Sequence, residues 1–202
     1  MYTPPDFAVT DRAWVLESVA RYPFGLLVTC DGEYPLVSHV PMLARERGDD
    51  LVVVGHVARA NPHARAILEG RGATAVFNGP HAYVSASWYE EPYRTVPTWN
   101  YTAVHAEGVL APCDARDLVD ALARTFEEGR EDPWEMRRLD PGYLERQLRG
   151  IVAFELRVRT LRAKAKLSQN RTPADRERVE AALAASDREI ERACAAEMRA
   201  LR

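Results

Sequence analysis

Apolar positions along the chain switch between two periods, and those switches divide it into elements. Thr10 and Asp11 can cap a helix over "DRAWVLESVARY", where Trp14, Val15, Ser18 and Val19 share one face. "FGLLVTC", the turn "DGE" and "YPLVSHVPML" then read as two strands of a tight hairpin. In the second strand Leu36, Ser38, Val40 and Met42 alternate with Val37, His39 and Pro41, and Pro41 predicts an edge or a bulge because it cannot donate to the ladder. "DDLVVVGH" predicts a third strand, and "NPHARAILEG" a short helix with Asn61 as cap and Gly70 past its end.

"ATAVFNGP" and "AYVSAS" predict strands around a Gly-Pro turn, followed by a loop at "WYEEPYRTVP" and a long strand at "TWNYTAVHAEGVLA". "DARDLVDALARTFEEG" is a capped amphipathic helix, "PGYLERQLRG" a shorter one, and "IVAFELRVRTL" alternates as a last strand. After the connector "KAKLSQNRT", Thr172 and Pro173 open a helix predicted to run to the C-terminus. Val179, Leu183, Ile190, Cys194, Met198 and Leu201 form its narrow apolar seam. Six or seven strands with short helices and no βαβ rhythm predict a mixed β-barrel of the α+β class with peripheral helices. The expected organisation is one domain over residues 1–171 and an amphipathic helix over 172–202 appended to it, suited to a dimer or partner contact.

Composition adds limits. The 202 residues are 47% hydrophobic and 28% charged, enough for a sizeable core, and no apolar run approaches the ~20 residues that span a bilayer. The N-terminal segment lacks the pattern of a secretory signal. Cys30, Cys113 and Cys194 are scattered, which suits reduced thiols in a cytoplasmic protein better than a disulfide framework or a zinc site. The net charge of −3 argues against a nucleic-acid-binding domain, though residues 160–202 carry ten Lys and Arg against seven Asp and Glu.

Four sets of residues could carry chemistry. In "GHVARANP" a strand end, Arg59 and a helix start at Asn61 make an anion cradle, or else Arg59 makes an ordinary surface pair and Asn61 only caps. In "YVSASWYEEPYRTVPTWNYTAVH", Trp88, Tyr89, Trp99 and Tyr101 with Ser85, Ser87, Thr98 and Asn100 suit a planar cofactor, or plug a barrel end. Of the histidines, His39, His56 and His105 lie in strands or at strand ends, where hydrogen-bonded imidazoles are common. One of the histidines could equally serve as an axial haem ligand. Lys164, Lys166 and Arg171 could hold a phosphate, an acidic partner or DNA, or simply form a solvated connector. No nucleophile-base set and no nucleotide-binding glycine motif occurs.

The segments "MYTPPDF", "YPFGLLVT", "SHVPML", "GHVARANP", "NGPHAYVSASWY", "VPTWNYTAVHAEG", "GIVAFEL" and "KLSQNR" stand in the order seen in the PaiB-type family. The chain thus resembles a family described as FMN-binding negative transcriptional regulators. The resemblance implies an FMN-binding split barrel related to pyridoxamine-phosphate oxidase, usually a homodimer with flavin held between subunits. It implies a flavin phosphate near Arg59 with Ser38 or His39 beside it. Ser85, Thr98, Trp99 and Asn100 would then line the ring or ribityl chain, with Lys164 and Lys166 approaching the cleft. It also admits haem b, as in the piperazate synthases, which share the "GH…RANPH" and "PTWN" type segments; His56 would then be the iron ligand, with His63 behind it. Direct DNA binding belongs to the family description alone, since no helix-turn-helix or uniformly basic helix is present.

Overall fold

Alternation sets the burial. In β2 (Phe24–Cys30) Gly25, Leu27 and Thr29 are buried, and in β5 (Gly72–Val84) the inward set begins with Ala73, Ala75 and Phe77. These strands belong to a computed structural model that describes residues 1–30 and 32–201. Its other strands are β1 (Ala8–Val9), β3 (Pro35–Arg47), β4 (Asp50–Ala58), β6 (Thr98–Pro112) and β7 (Ile151–Lys166). The helices are α1 (Arg12–Arg21), α2 (His63–Leu68), α3 (Ala115–Glu127), α4 (Pro141–Arg149), α5 (Pro173–Ala184) and α6 (Glu189–Ala200).

Strand order is β1-β7-β4-β3-β2-β5-β6, and a further β6–β7 pairing closes β2 to β7 into a circuit, as a barrel requires. The ladders β2–β3, β3–β4, β4–β7, β2–β5 and β1–β7 are all antiparallel. The expected mixed α+β split barrel is therefore what forms. The chain divides into two compact units. The first comprises Met1–Ser18, Asn78–Val104 and Arg162–Arg202, and the second Val19–Phe77 and His105–Leu161.

Pro41 sits where β3 changes partners. Residues 35–41 pair with β2, and pairing with β4 starts at Met42 opposite Gly55. The missing N–H therefore falls on a free side of the strand, as an edge proline requires. The hairpin turn expected at "DGE" includes Asp31, which lies outside the described residues.

Three expectations are corrected. The Gly79-Pro80 turn does not form, and β5 runs unbroken from Gly72 to Val84. Its buried set shifts instead from Ala73, Ala75 and Phe77 to Pro80, Ala82 and Val84, the phase change that one extra residue produces. Strand β7 does not stop near Leu161 but carries Lys164 and Lys166 as strand residues. The expected long terminal helix is two helices. Residues 185–188 break it, where Ser186 Oγ accepts the Arg188 N–H (3.1 Å) and donates to Glu191 Oε2 (2.6 Å).

In the first unit Val179, Leu183, Cys194, Ala195 and Met198 of α5 and α6 join Ala82, Val84, Tyr89, Ala165 and Leu167 in one core. In the second, Leu118 and Leu122 of α3, whose N-terminus Asp114 caps, cover Leu43, Val52, Val54 and Ala153. Each leucine so buried contributes about 2 kcal/mol. Beside them the buried Glu155 accepts two bonds from Arg47 (2.5 and 3.1 Å) and one from Arg157 (2.8 Å), contacts that hold its carboxyl below the usual range.

Closure of the circuit depends on Gly108. A Cβ there would lie 2.0 Å from the Arg157 carbonyl oxygen, so β6 and β7 approach through a gap only glycine leaves. Gly108→Ala should lower the urea midpoint by the equivalent of about 3 kcal/mol or more. An unchanged midpoint would mean the strands are not held this close.

Candidate functional site

The residues singled out by sequence fall into two groups, one in each unit. In the second unit Ser38, Asn61 and His63 form a small network. The Asn61 side-chain amide donates to Ser38 Oγ (3.0 Å) while its Oδ1 accepts the His63 backbone N–H (2.9 Å). Asn61 thus caps the start of α2 from two residues upstream of its first residue. Ser38 Oγ lies 2.9 Å from His63 Nδ1. Burial pushes the His63 imidazole below its ordinary value and keeps it neutral. With the serine hydroxyl donating, Nδ1 accepts and the ring proton sits on Nε2, a buried atom with no partner among the described residues.

His56 is half-buried on β4, opposite Ala153 of β7. Burial lowers its pKa too, and its buried Nδ1 likewise has no partner among the described residues. His39 is exposed and stacks on Phe24, with ring centroids 5.9 Å apart.

Arg59 spends its fork on the main chain. Nε donates to the Arg149 carbonyl (2.7 Å), one terminal nitrogen to that of Ile151 (2.8 Å), and the backbone N–H to that of Gly150 (2.8 Å). These bonds fix the junction where α4 ends and β7 begins. The neighbouring α2 is only six residues long. An anion at Arg59 would meet a guanidinium with one bidentate edge already used, which sequence spacing has no means of revealing.

The first unit gathers the other candidates around two lysines. Lys164 and Lys166 stand two apart on β7 and so project to the same side. Lys164 is only 6% exposed; its Nζ donates to the Tyr2 carbonyl (3.1 Å) and lies 5.1 Å from the ring centroid of Tyr101 and 5.8 Å from that of Tyr2. Lys166 Nζ donates to Thr98 Oγ1 and to the Trp99 carbonyl, both at 2.6 Å, and lies 6.0 Å from the Phe7 ring. Every one of these acceptors is a neutral oxygen. Burial, and then the positive charges of Lys164 and Arg171, push the Lys166 pKa down.

Around the pair lie the "PTWN" residues. Asn100 is fully buried and shares two hydrogen bonds with Ser168 (3.0 and 3.2 Å), so its role is to hold the β6 and β7 ends together. Trp99 is 50% exposed and meets the Tyr83 ring edge-on at 5.9 Å, with His81 at 6.2 Å. Ser85 turns inward on its own segment, accepting the Ser87 N–H and sitting 2.8 Å from Ser87 Oγ. His81 is one of the five histidines of the sequence, whereas nothing in the local pattern singles out Tyr2 and Phe7, and Tyr83 stands out only together with His81. The outward alternation of His81 and Tyr83 along one strand was the available signal, obscured by the expected turn just before them.

Two cations flanked by aromatic faces and the Thr98 hydroxyl, with no carboxylate bonded to them among the described residues, fit an anionic ligand that carries a planar ring. No set of three His, Cys, Asp or Glu among the described residues is placed to hold a metal ion. No helix among them is long and apolar enough to cross a membrane.

Over residues 1–160 the chain matches the family described as "Putative FMN-binding domain". Protease synthase and sporulation protein PAI 2 of Bacillus subtilis (strain 168) is 36% identical over 178 residues, covering 87% of this chain and 85% of that protein. Among solved structures, the flavocytochrome Anf3 from Azotobacter vinelandii aligns with a TM-score of 0.61 at 16% identity, over 78% of this chain and 68% of that one. The FAD and heme binding protein from Mycobacterium smegmatis aligns at 0.58 and 18%, over 79% and 73%. At these identities the structures speak to the fold alone. The sequence match, which spans most of the chain, goes further: the protein belongs to the FMN-binding domain family that its motif series resembles.

Proposed function

We propose that this chain binds FMN through the lysine pair of its first unit. Lys164 and Lys166 would hold the phosphate, and Thr98, Trp99 and Tyr101 would flank the ligand. The single observation that carries the reading is two adjacent lysines, one almost fully buried, whose hydrogen bonds go only to neutral oxygens. Buried positive charge without a counterion is costly, and a bound phosphate removes that cost. FMN would supply two-electron or one-electron redox chemistry, while the protein positions and tunes it. Arg59 and His39 become supports of the fold in this reading, and Ser38, Asn61 and His63 a polar cluster beside α2.

A second reading has one specific observation behind it. His56 is kept neutral by burial and leaves Nδ1 without a partner, the state that iron ligation needs. In that case haem would be the cofactor and His56 its ligand. A regulatory output, which the family resemblance implies, fits a protein partner better than direct DNA contact. Helices α5 and α6 alternate acids such as Asp175, Glu189 and Glu191 with their arginines and offer no uniformly basic face. A cytoplasmic setting belongs to the same reading.

Pairing of two chains is the remaining part of the proposal. On one face of the second unit Phe24, Leu26 and Val28 of β2 lie opposite Pro41, His39 and Val37 of β3, and Val76 of β5 continues the row. Phe24 is 66% exposed and Val37 46%, an apolar sheet face that a second copy would cover.

The absorption spectrum of the protein with added FMN tests the first reading. A flavin spectrum retained through gel filtration is expected, with FMN binding weakened about tenfold or more in Lys166→Met and nearly unchanged in Arg59→Ala. Equal FMN affinity in wild type and Lys166→Met would overturn the site. A Soret band on haem addition that changes in His56→Ala would favour the second reading instead. Light scattering after gel filtration should give twice the chain mass for wild type and a single chain mass for Phe24→Asp; a monomeric wild type would refute the pairing.

A further inference from the structure

The segment "KLSQNR" ends in a turn that costs the backbone something to form. Ser168 has φ +65°, the one non-glycine residue in the left-handed region among those described. It is held there on several sides. Its buried hydroxyl and the Asn100 amide bond each other in both directions. Gln169 folds back to accept the Leu167 N–H (2.6 Å) and to donate to the Ala165 carbonyl (2.5 Å). The Arg171 N–H then closes the turn on the Ser168 carbonyl (3.0 Å), and Thr172 caps α5 immediately afterwards. Residues held this firmly in an unfavourable conformation are typically there to aim something.

What the turn aims is Arg171. Its guanidinium lies over the Tyr89 ring, 4.5 Å from the centroid, and makes no hydrogen bond to any described residue. Half-buried and stacked, it keeps its planar edge available. That edge borders a cleft of about 510 Å³, large enough for a small organic molecule. The Tyr89 ring in its wall is 4% exposed, with a buried hydroxyl that has no partner among the described residues.

The other charges of the cleft are already engaged. Asp175 accepts the Glu90 N–H (2.8 Å), Glu91 pairs with Arg94 (3.3 Å) and Glu90 with Arg178 (3.6 Å). Arg171 is therefore the cation of this cleft that lacks an acceptor among the described residues. The three acids set a limit on what it can take, because a singly charged carboxylate meets about half the repulsion that a dianionic phosphate does. A planar guanidinium and a planar carboxylate also match as a two-bond pair.

We propose that Arg171 anchors a second binding site of the first unit, which takes the carboxylate of a small organic monoanion into the cleft beside Tyr89. Neither lysine lines this cleft, although the Arg171 charge is felt at Lys166, and the proposal does not depend on flavin being the occupant of the lysine pair.

The test uses the full-length chain, stripped of any bound flavin and labelled with ¹⁵N, titrated with benzoate while the side-chain Nε–H signal of Arg171 is followed. A saturable shift with a Kd of about 1 mM is expected, the strength of a single charge-assisted pair in a partly open cleft. Arg171→Lys, which keeps the charge but loses the fork, should weaken benzoate about tenfold, and Lys166→Met, which removes a neighbouring charge but no contact, by only about twofold. Inorganic phosphate should shift the Arg171 signal less than benzoate does. The proposal is overturned if the signal does not saturate, if chloride alone reproduces the shift, if phosphate binds there more tightly than benzoate, or if Lys166→Met abolishes the effect. The wild-type titration decides even if the Arg171→Lys protein folds poorly.

Discussion

Two lysines placed two apart in a strand, with no acid bonded to them among the described residues, are the constraint around which the first unit is organised. Burial disfavours the charged form of Lys166, and the neighbouring charge of Lys164 adds to that. A protein holding such a pair compensates with neutral dipoles and aromatic faces, as this one does through the Tyr2 and Trp99 carbonyls, the Thr98 hydroxyl and the rings of Tyr101 and Phe7. Neutral acceptors orient an ammonium without cancelling its charge. The field left over is what would favour an anion there, and the proposed FMN phosphate site rests on it.

Within the first unit, other contacts hold those ends of the strands. Asn100 and Ser168 tie β6 to the turn beyond β7, and the core of α5 and α6 covers Ala165 and Leu167, on the same strand end as the lysines. In the second unit the circuit closes where Gly108 admits the Arg157 carbonyl, and Arg59 staples the start of β7 through three carbonyls in succession. Arg59 and Arg171 make an instructive contrast. Both follow an apolar strand by a few residues and both precede a helix. One has its fork filled by the main chain; the other rests on a tyrosine ring with its edge unused.

That contrast also marks how far the sequence could be read. Local signals carried well: Asp114 and Thr172 cap the helices they were expected to begin, and Gly70 takes a positive φ after α2. The apolar seam of the C-terminal residues was real, since Val179, Leu183, Cys194 and Met198 are all buried, but its near-heptad spacing hid a break made by Ser186. The lysines of "KAK" have the composition of a solvated connector, which shortens the expected β7, although they keep the strand's period of two. What a one-dimensional pattern cannot hold is the partner of a long side chain. Arg59 finds its carbonyls some ninety residues onward, and Lys166 finds Thr98 sixty-eight residues back.

The most direct measurement follows the lysines themselves. With ¹³C-labelled lysine, the pKa of Lys166 is read by NMR in the flavin-free protein and again with FMN bound. A pKa below the ordinary lysine value is expected in the free protein, since burial and its cationic neighbours disfavour the proton. A bound phosphate favours the charged form, so FMN should raise that pKa, and FMN affinity should fall as pH rises through the free-protein value. A Lys166 pKa that FMN leaves unmoved, while the flavin is demonstrably bound, would contradict the account.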